Sequence, residues 1–121
     1  MTWFYSQRSG ELKREAEVIA CGYSGKGACK NSPDKQHLHN YGPIPRGRYT
    51  VLQPRDSADV GPYALQLRPH PENRMHGRGA FMLHGDSKAN PGTASEGCII
   101  LPRKIREQIW GSGDHELEVT E

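Results

Sequence analysis

The stretch from Phe81 to Leu101 constrains this chain more than any other, because it puts an imidazole and a thiol at the two ends of one loop. An apolar run ends at His84, a loop rich in Gly, Pro, Asn and Ser follows, and Cys98 opens a second apolar run. This pattern predicts two short strands joined by a loop. Because a thiol is only slightly ionised at neutral pH, a catalytic cysteine needs a nearby imidazole to take its proton. We therefore expect Cys98 and His84 to act as nucleophile and base.

The residues next to Cys98 favour a catalytic role over a structural one. A free cysteine before the apolar run 99–101 would also suit a buried core, and a histidine at a strand end often makes an ordinary hydrogen bond. Here, however, Ser95 and Gly97 stand just before Cys98. A glycine in front of a nucleophile lets the backbone turn sharply and point its N–H groups at an oxyanion. The sequence therefore predicts one catalytic turn made of Ser95, Gly97 and Cys98.

Several motifs taken together resemble those of L,D-transpeptidase catalytic domains. His84-Gly85, followed after a loop by Ser95-Glu96-Gly97-Cys98, resembles their His…Ser/Thr-His-Gly-Cys signature, and the run 42–49 resembles their Pro-x-Gly strand entry. The wider pattern is similar to small type VI secretion effectors with an L,D-transpeptidase-like domain. That pattern includes Tyr5-Ser6-Gln7, Gly22-Tyr23-Ser24-Gly25, His84-Gly85-Asp86-Ser87 and Leu101-Pro102-Arg103.

The resemblance implies a mechanism. Cys98 would attack the peptide bond before the terminal D-alanine of a peptidoglycan tetrapeptide stem, with His84 as general base and then general acid. Water would resolve the acyl-enzyme in an L,D-carboxypeptidase, and an amine would do so in an L,D-transpeptidase. No cofactor is expected. Ser95 and Asp86 are expected to orient His84 or the turn, and the expected substrate contacts are Gly85, Asp86, Tyr23, Ser24 and Arg78.

Two departures from the family pattern leave other functions open. Glu96 replaces the family histidine before Gly-Cys, and Ile100 stands where many members have Arg or Asn, so only His84 can be the imidazole partner. Both departures would suit a non-catalytic wall-binding module. A zinc-dependent hydrolase is the other alternative, with ligands drawn from His37, His39, His84 and Cys98, although their spacing fits none of the compact zinc patterns.

Composition and local pattern predict one mostly β domain that covers residues 1–121. The 34% hydrophobic content, 14 Gly and 9 Pro indicate a loop-rich β protein. Strands are predicted at residues 2–6, 17–23, 48–53, 63–68, 80–84 and 115–120, and a further, weaker strand is predicted to begin at Leu12. A long surface loop is predicted at 25–45, and a helix is predicted from Pro102 to Trp110. We expect a single L,D-transpeptidase-like β-sandwich or partly closed barrel with one late helix.

Charge and hydropathy restrict the partners. A net charge of +2 argues against a nucleic-acid binder. The segment from Arg46 to Arg78 contains six arginines and only three acidic residues, and this excess of positive charge suits a carboxylate-bearing substrate. No run approaches the about 20 apolar residues of a membrane span. We expect a monomer without a membrane-spanning segment.

The start of the sequence lacks the basic and apolar segments of a signal peptide. With the resemblance to secreted effectors, this predicts export without a signal peptide and action in the periplasm of a target cell, with a secretion apparatus and an immunity protein as partners. The alternative is that a natural signal segment has been removed from this sequence.

The three cysteines suggest one bridge and one free thiol. Cys21 and Cys29 flank a Gly-rich loop that can bring them together, which leaves Cys98 unpaired. A Cys21–Cys29 disulfide is therefore predicted under oxidising conditions. The alternative is three free thiols in a reducing compartment.

Overall fold

The structure is a computed structural model that describes residues 2–121, and this part of the chain contains nine strands and one α-helix. A short 3-10 turn spans Gly27–Cys29 and another spans Pro33–Lys35. The elements in chain order are β1 (Trp3–Ser6), β2 (Glu11–Arg14), β3 (Glu17–Cys21), β4 (Tyr23–Ser24), β5 (Gly47–Ser57), β6 (Gly61–Pro69), β7 (Met82–His84), β8 (Ile99–Ile100), α1 (Arg103–Gly111) and β9 (Glu116–Thr120).

All nine strands belong to one sheet, in the order β3-β2-β1-β9-β5-β6-β7-β8-β4. The β1–β9 and β7–β8 pairs are parallel, and the others are antiparallel. The ladder is not closed, yet its two edge strands, β3 and β4, are separated in the chain by Gly22 alone. The sheet must therefore curl until its edges meet. The predicted mostly β fold with one late helix is confirmed.

Gly22 lies where the two edges meet, and its lack of a side chain is required there. Its N–H donates to the Gly10 carbonyl at 2.8 Å. A Cβ at this position would collide with the Ile100 carbonyl oxygen of β8. Only a glycine lets β3 pass this close to β8 before the chain continues as β4.

The concave face of the sheet holds the core. Alternate residues of the strands are buried, such as Trp3 and Tyr5 of β1 or Leu117 and Val119 of β9, as expected for strands with one solvated face. Ile109 of α1 packs into the same core. Other large buried side chains are Leu12, Ile44, Tyr49, Leu65, Leu83, Ile99 and Leu101.

The structure corrects two local predictions. The strands predicted at 48–53 and 63–68 are longer, because β5 and β6 continue as one hairpin through a register shift between Val51 and Pro54. The predicted surface loop 25–45 ends in a buried segment, 42–45. That segment is held because the Ile44 N–H donates to Ser24 Oγ and the Ile44 carbonyl accepts from Gln7 Nε2, both at 2.8 Å.

Among residues 2–121, no helix has the length and apolar character that crossing a bilayer requires.

Candidate active site

Cys98 and His84 lie on neighbouring parallel strands. His84 is the last residue of β7, and Cys98 immediately precedes β8. The register pairs Leu83 with Ile99 and His84 with Ile100, so Cys98 lies two positions before the partner of His84. By standard strand spacing, such residues have Cα atoms about 8 Å apart and project from the same face of the sheet. His84 and Cys98 thus lie at opposite ends of this short parallel pair, as the two ends of the loop that the sequence predicted.

Ser95 holds the turn before Cys98. This residue is 0% exposed, and its hydroxyl donates to the Cys98 carbonyl at 2.6 Å while accepting from the Gly97 N–H at 3.0 Å and the Gly25 N–H at 2.9 Å. One small side chain therefore fixes both sides of the turn and joins it to the loop after β4. No described bond links Ser95 to His84, so Ser95 positions Cys98 rather than His84.

Ser24 supports the same turn from β4. Its buried hydroxyl donates to the Gly97 carbonyl at 2.7 Å and accepts from the Ile44 N–H. We expected Ser24 to contact substrate. Instead, its 0% exposure and two saturated bonds make it part of the frame behind Cys98.

Arg78 is a second frame residue, also in contrast to its expected role as a substrate contact. It is 8% exposed, and its two terminal nitrogens donate to four main-chain carbonyls, those of Gln36, Pro43, Gly42 and Glu96, at 2.6 to 3.1 Å. The guanidinium also lies over the Phe81 ring, with its Cζ 5.1 Å from the ring centroid. A guanidinium with these bonds made inside the protein ties the loop 36–43 to the catalytic turn.

Gly97 is required by this packing. Its φ is +140°, a value that favours glycine, and an added Cβ would lie 2.5 Å from Arg78 Nη2 and 2.7 Å from the Phe81 ring. The prediction that Gly97 permits a sharp turn therefore agrees with the geometry. Its N–H, however, already donates to Ser95 Oγ, so this group is not free to bind an oxyanion.

The thiol of Cys98 is neutral at rest. Burial raises its pKa, the Met82 N–H lowers it, the Glu96 carboxylate raises it, and the Arg78 guanidinium lowers it, with a net rise above the ordinary value. The side chain lines a cavity of about 230 Å³ with Phe81 and Glu96. The thiol thus lies at a cleft, and its surroundings alone do not ionise it.

His84 is oriented by its own neighbour. Its Nδ1 lies 2.8 Å from the Gly85 carbonyl oxygen, and because a carbonyl can only accept, Nδ1 carries the proton and Nε2 is the free base. The side chain is 3% exposed. Burial lowers its pKa, the Gly85 bond raises it, Arg106 lowers it and Asp86 raises it, and the net shift is downward. His84 is therefore a neutral imidazole at neutral pH.

Sequence reasoning missed Arg106. The sequence analysis gave this arginine of α1 no role, yet its side chain is buried, with 5% exposed. Its Nε donates to the Leu101 carbonyl, and its Nη1 donates to those of Pro62 and Tyr63. It therefore joins α1 to β6 next to His84. The nearest signal in the sequence is Gly85, where an added Cβ would lie 3.0 Å from Arg106 Nη2.

Asp86 and Tyr23 organise the loop that follows His84. The Asp86 carboxylate accepts from the Tyr23 hydroxyl at 2.6 Å and from the N–H groups of Ser87 and Gly92. Burial raises the pKa of Asp86, but these hydrogen bonds lower it to a net value below the ordinary one. Burial, and then the bond to Asp86, raises the pKa of Tyr23 to about 12. Both residues, expected as substrate contacts, mainly hold the loop 85–94.

The thiol and the imidazole open into different cavities. The His84 cavity, also of about 230 Å³, is lined by Gly85, Asp86 and Val60 among others, and no hydrogen bond joins His84 to Cys98 within residues 2–121. Catalytic hydrogen bonds are often long before substrate binds. A larger cavity of about 520 Å³ surrounds Arg48 and Glu118 and contains none of the predicted site residues.

The cysteines and histidines outside the site form no other centre. Cys21, Cys29 and Cys98 are all free thiols in this structure, and the Cys21–Cys29 disulfide stays a prediction for oxidising conditions. Between Cys21 and Cys29 the chain forms β4, which pairs with β8. In the described part of the chain, no three His, Cys, Asp or Glu residues are grouped to hold a metal ion.

Comparisons with known proteins identify a family and a fold. The Tlde1 domain model matches residues 19–119. The structure of Bd1075 from Bdellovibrio bacteriovorus is 14% identical, with a TM-score of 0.60, over 98% of this chain and 47% of that one. L,D-transpeptidase 1 from Mycobacterium tuberculosis is 18% identical, with a TM-score of 0.48, over 99% of this chain and 60% of that one.

A search of the curated proteins found no match. The chain spans about half the length of Bd1075, and at 14% identity the likeness to that structure establishes a shared fold.

Proposed function

Since this chain belongs to the Tlde1 domain family of type VI secretion L,D-transpeptidase effectors, we propose that it is a cysteine enzyme that cleaves or exchanges the terminal D-amino acid of peptidoglycan tetrapeptide stems. The observation that carries this proposal is the pairing of a rigid Cys98 turn with a histidine whose Nε2 is free on the adjacent strand. A purely structural cysteine would need neither feature.

The first half of the reaction forms an acyl-enzyme. Cys98 Sγ attacks the carbonyl carbon before the terminal D-alanine while His84 Nε2 takes the thiol proton. As the carbon–nitrogen bond breaks, the same proton passes from His84 to the leaving amine. A thioester then joins the remaining stem to Cys98, and D-alanine departs.

The resting charges support general-base catalysis rather than a preformed ion pair. Burial raises the pKa of Cys98 and lowers that of His84, so both side chains are neutral before substrate binds. Proton transfer must therefore accompany attack. The Cys98 N–H is the main-chain donor that we assign to the oxyanion, because the Gly97 N–H is bound to Ser95.

The second half of the reaction depends on the acceptor. Water activated by His84 gives the tripeptide, a stem amine gives a cross-link, and a free D-amino acid gives exchange. The same Cys98 thioester serves all three outcomes, so one enzyme can act as carboxypeptidase and transpeptidase.

Mass spectrometry of muropeptides after incubation with the protein tests this proposal. We expect loss or exchange of terminal D-alanine with wild type and none with Cys98→Ala, while the double variant Cys21→Ser/Cys29→Ser should behave as wild type. Binding without any turnover or thioester would contradict the enzyme proposal and favour a non-catalytic wall-binding module.

The proposal includes a place of action. The substrate lies outside the cytoplasmic membrane, so the enzyme would act in the periplasm of a target cell after delivery by a secretion apparatus, with an immunity protein protecting the producer. Expression in a sensitive bacterium with and without an added periplasmic signal peptide tests this. We expect lysis only with the signal and not with Cys98→Ala. Equal toxicity from the cytoplasm would contradict it.

A further inference from the structure

A cation-lined cavity lies beside the His84 end of the site and plays no part in the reaction as described above. Its volume is about 390 Å³. Val60 and Pro62 form an apolar wall, and the charged residues that line it are Lys88, Arg103, Arg106 and Asp86. Gly85 also lines this cavity, so it opens directly next to the proposed base.

Arg106 presents an unpartnered donor to this space. The residue is 5% exposed, and its Nε and Nη1 are bound to main-chain carbonyls, but Nη2 makes no hydrogen bond with any residue from 2 to 121. Nη2 faces Gly85, where the lack of a Cβ leaves room. Nη2 is not one of the fully buried side-chain atoms that lack a partner, so it reaches the cavity, where a ligand acceptor can replace water as its partner.

The carboxylates around this donor are already engaged: Glu107, whose charge acts on Arg106, is paired with Arg103. Asp86 is the carboxylate that lines the cavity, but it already accepts hydrogen bonds from Tyr23, Ser87 and Gly92. Arg103 is paired with Glu107 at 3.2 Å, which leaves Lys88 and Arg106. The helix that begins at Arg103 has no acidic residue in its first turn. The cavity is thus suited to one anionic group, and a carboxylate matches the planar geometry of a guanidinium.

The geometry points to the terminal carboxylate of the stem peptide as this anion, which makes the enzyme selective for stems that end in a free D-amino acid. The inference rests on the proposed function. His84 returns the proton to the nitrogen of the leaving D-amino acid, so that residue must lie on the His84 side of the cleft. Its carboxyl carbon is two bonds from that nitrogen, and Gly85, the neighbour of His84, borders the cavity.

Binding to the Cys98→Ala variant tests the inference without requiring turnover. We would titrate this variant, followed by NMR, with a peptidoglycan tetrapeptide that ends in D-alanine and with the same peptide ending in D-alaninamide. We expect the amide to bind about tenfold more weakly or worse, because it lacks the charge that pairs with Arg106 and Lys88. Equal affinity for the two peptides, or no binding of either, would overturn the inference.

Two further variants locate the effect. In the Cys98→Ala background, Lys88→Met should weaken binding of the acid severalfold and leave that of the amide unchanged. Lys104→Met removes the same charge from an exposed residue of α1 that does not line the cavity, and it should change neither. If Lys88→Met weakened binding of both peptides equally, Lys88 would not interact with the carboxylate, and the inference would be disproved.

Wild-type kinetics separate the two proposals. Equal kcat/KM for acid and amide would disprove the carboxylate subsite while supporting the enzyme. Selective binding of the acid with no turnover would support the subsite and disprove the enzyme.

Discussion

The two ends of the candidate site are built in opposite ways. Around Cys98, three buried side chains hold the turn through hydrogen bonds to main-chain atoms. Ser95 belongs to the turn itself, whereas Ser24 and Arg78 come from other parts of the chain. Around His84, one bond from the ring to the adjacent Gly85 carbonyl sets the orientation, and the loop that follows is largely exposed.

The chemical tuning is distributed in the reverse sense. The well-held thiol has a raised pKa and is left protonated, whereas the lightly held imidazole has a lowered pKa that keeps it neutral, the form that can take up a proton. Hydrogen bonds therefore fix position mainly at the Cys98 end, whereas the protonation state that the proposed mechanism needs is set at the His84 end. Variants at the two ends should fail in different ways.

The largest expected effect is on activity, from His84→Gln. Loss of the imidazole that we propose as the general base should reduce kcat by about 10²-fold to 10⁴-fold, with the fold retained. Muropeptide turnover and thermal unfolding measure the two quantities. Activity within tenfold of wild type in a folded variant would show that another group is the base.

The next effect is on stability, from Gly97→Ala compared with Gly85→Ala. The Gly97 variant forces a Cβ to 2.5 Å from Arg78 Nη2 at a φ of +140°, and overpacking of this kind costs about 1 to 3 kcal/mol. In the Gly85 variant the Cβ would lie 3.0 Å from Arg106 Nη2, so the free energy of unfolding should fall less. Chemical denaturation gives both values. A larger loss for Gly85→Ala would reverse our view of which end is rigid.

A smaller effect is the pH dependence of stability. Burial holds the folded pKa of His84 below its unfolded value of about 6.5, so the folded state binds this proton less readily than the unfolded state. The stabilisation is complete above that unfolded value and is lost as pH falls through it toward the folded pKa. The melting temperature of wild type should therefore drop more steeply between pH 7 and 5 than that of His84→Gln, by about the contribution of one titrating group. Parallel curves would mean that His84 is not shifted.

The smallest expected effect is on the thiol itself, from Glu96→Gln. Removal of the carboxylate that raises the pKa of Cys98 should lower that pKa and speed alkylation at neutral pH, by less than tenfold because Glu96 is exposed. The rate would be measured in a Cys21→Ser/Cys29→Ser background, with Glu17→Gln as the control for loss of a surface charge. An unchanged rate would show that Glu96 does not influence the thiol.

Local sequence pattern predicted the elements better than their arrangement. β-prone residues and turn signals indicated the first three strands, alternation indicated the last one, and Pro102 marked the start of α1 at Arg103. Strands β4 and β8 have two residues each, too few for a period. The insertion of β9 between β1 and β5 joins residues more than a hundred positions apart, and no local pattern records such a pairing.

The site divides in the same way. The His84 and Cys98 placement and the Ser95 turn followed from neighbouring residues, because glycine and serine have specific local effects. The resemblance assigned Ser24 and Arg78 to substrate binding. The sequence could not indicate their true partners, because these are main-chain carbonyls such as that of Gly97, which carry no residue identity. Arg106 was missed for the same reason, since its partners are the carbonyls of Leu101, Pro62 and Tyr63.

The central place of β9 in the sheet also determines when the two parts of the sheet on either side of it can join. Strand β1 pairs with β2 and β9, and β5 pairs with β6 and β9, so each has an unpaired edge until residues 116–120 arrive. During synthesis, strands β1–β3 stay unjoined to the rest of the sheet until residues 116–120 have been made, and pairings this distant in sequence form slowly. Exposed edges recruit other strands in the meantime, so aggregation of nascent chains should compete with folding until β9 closes the gap.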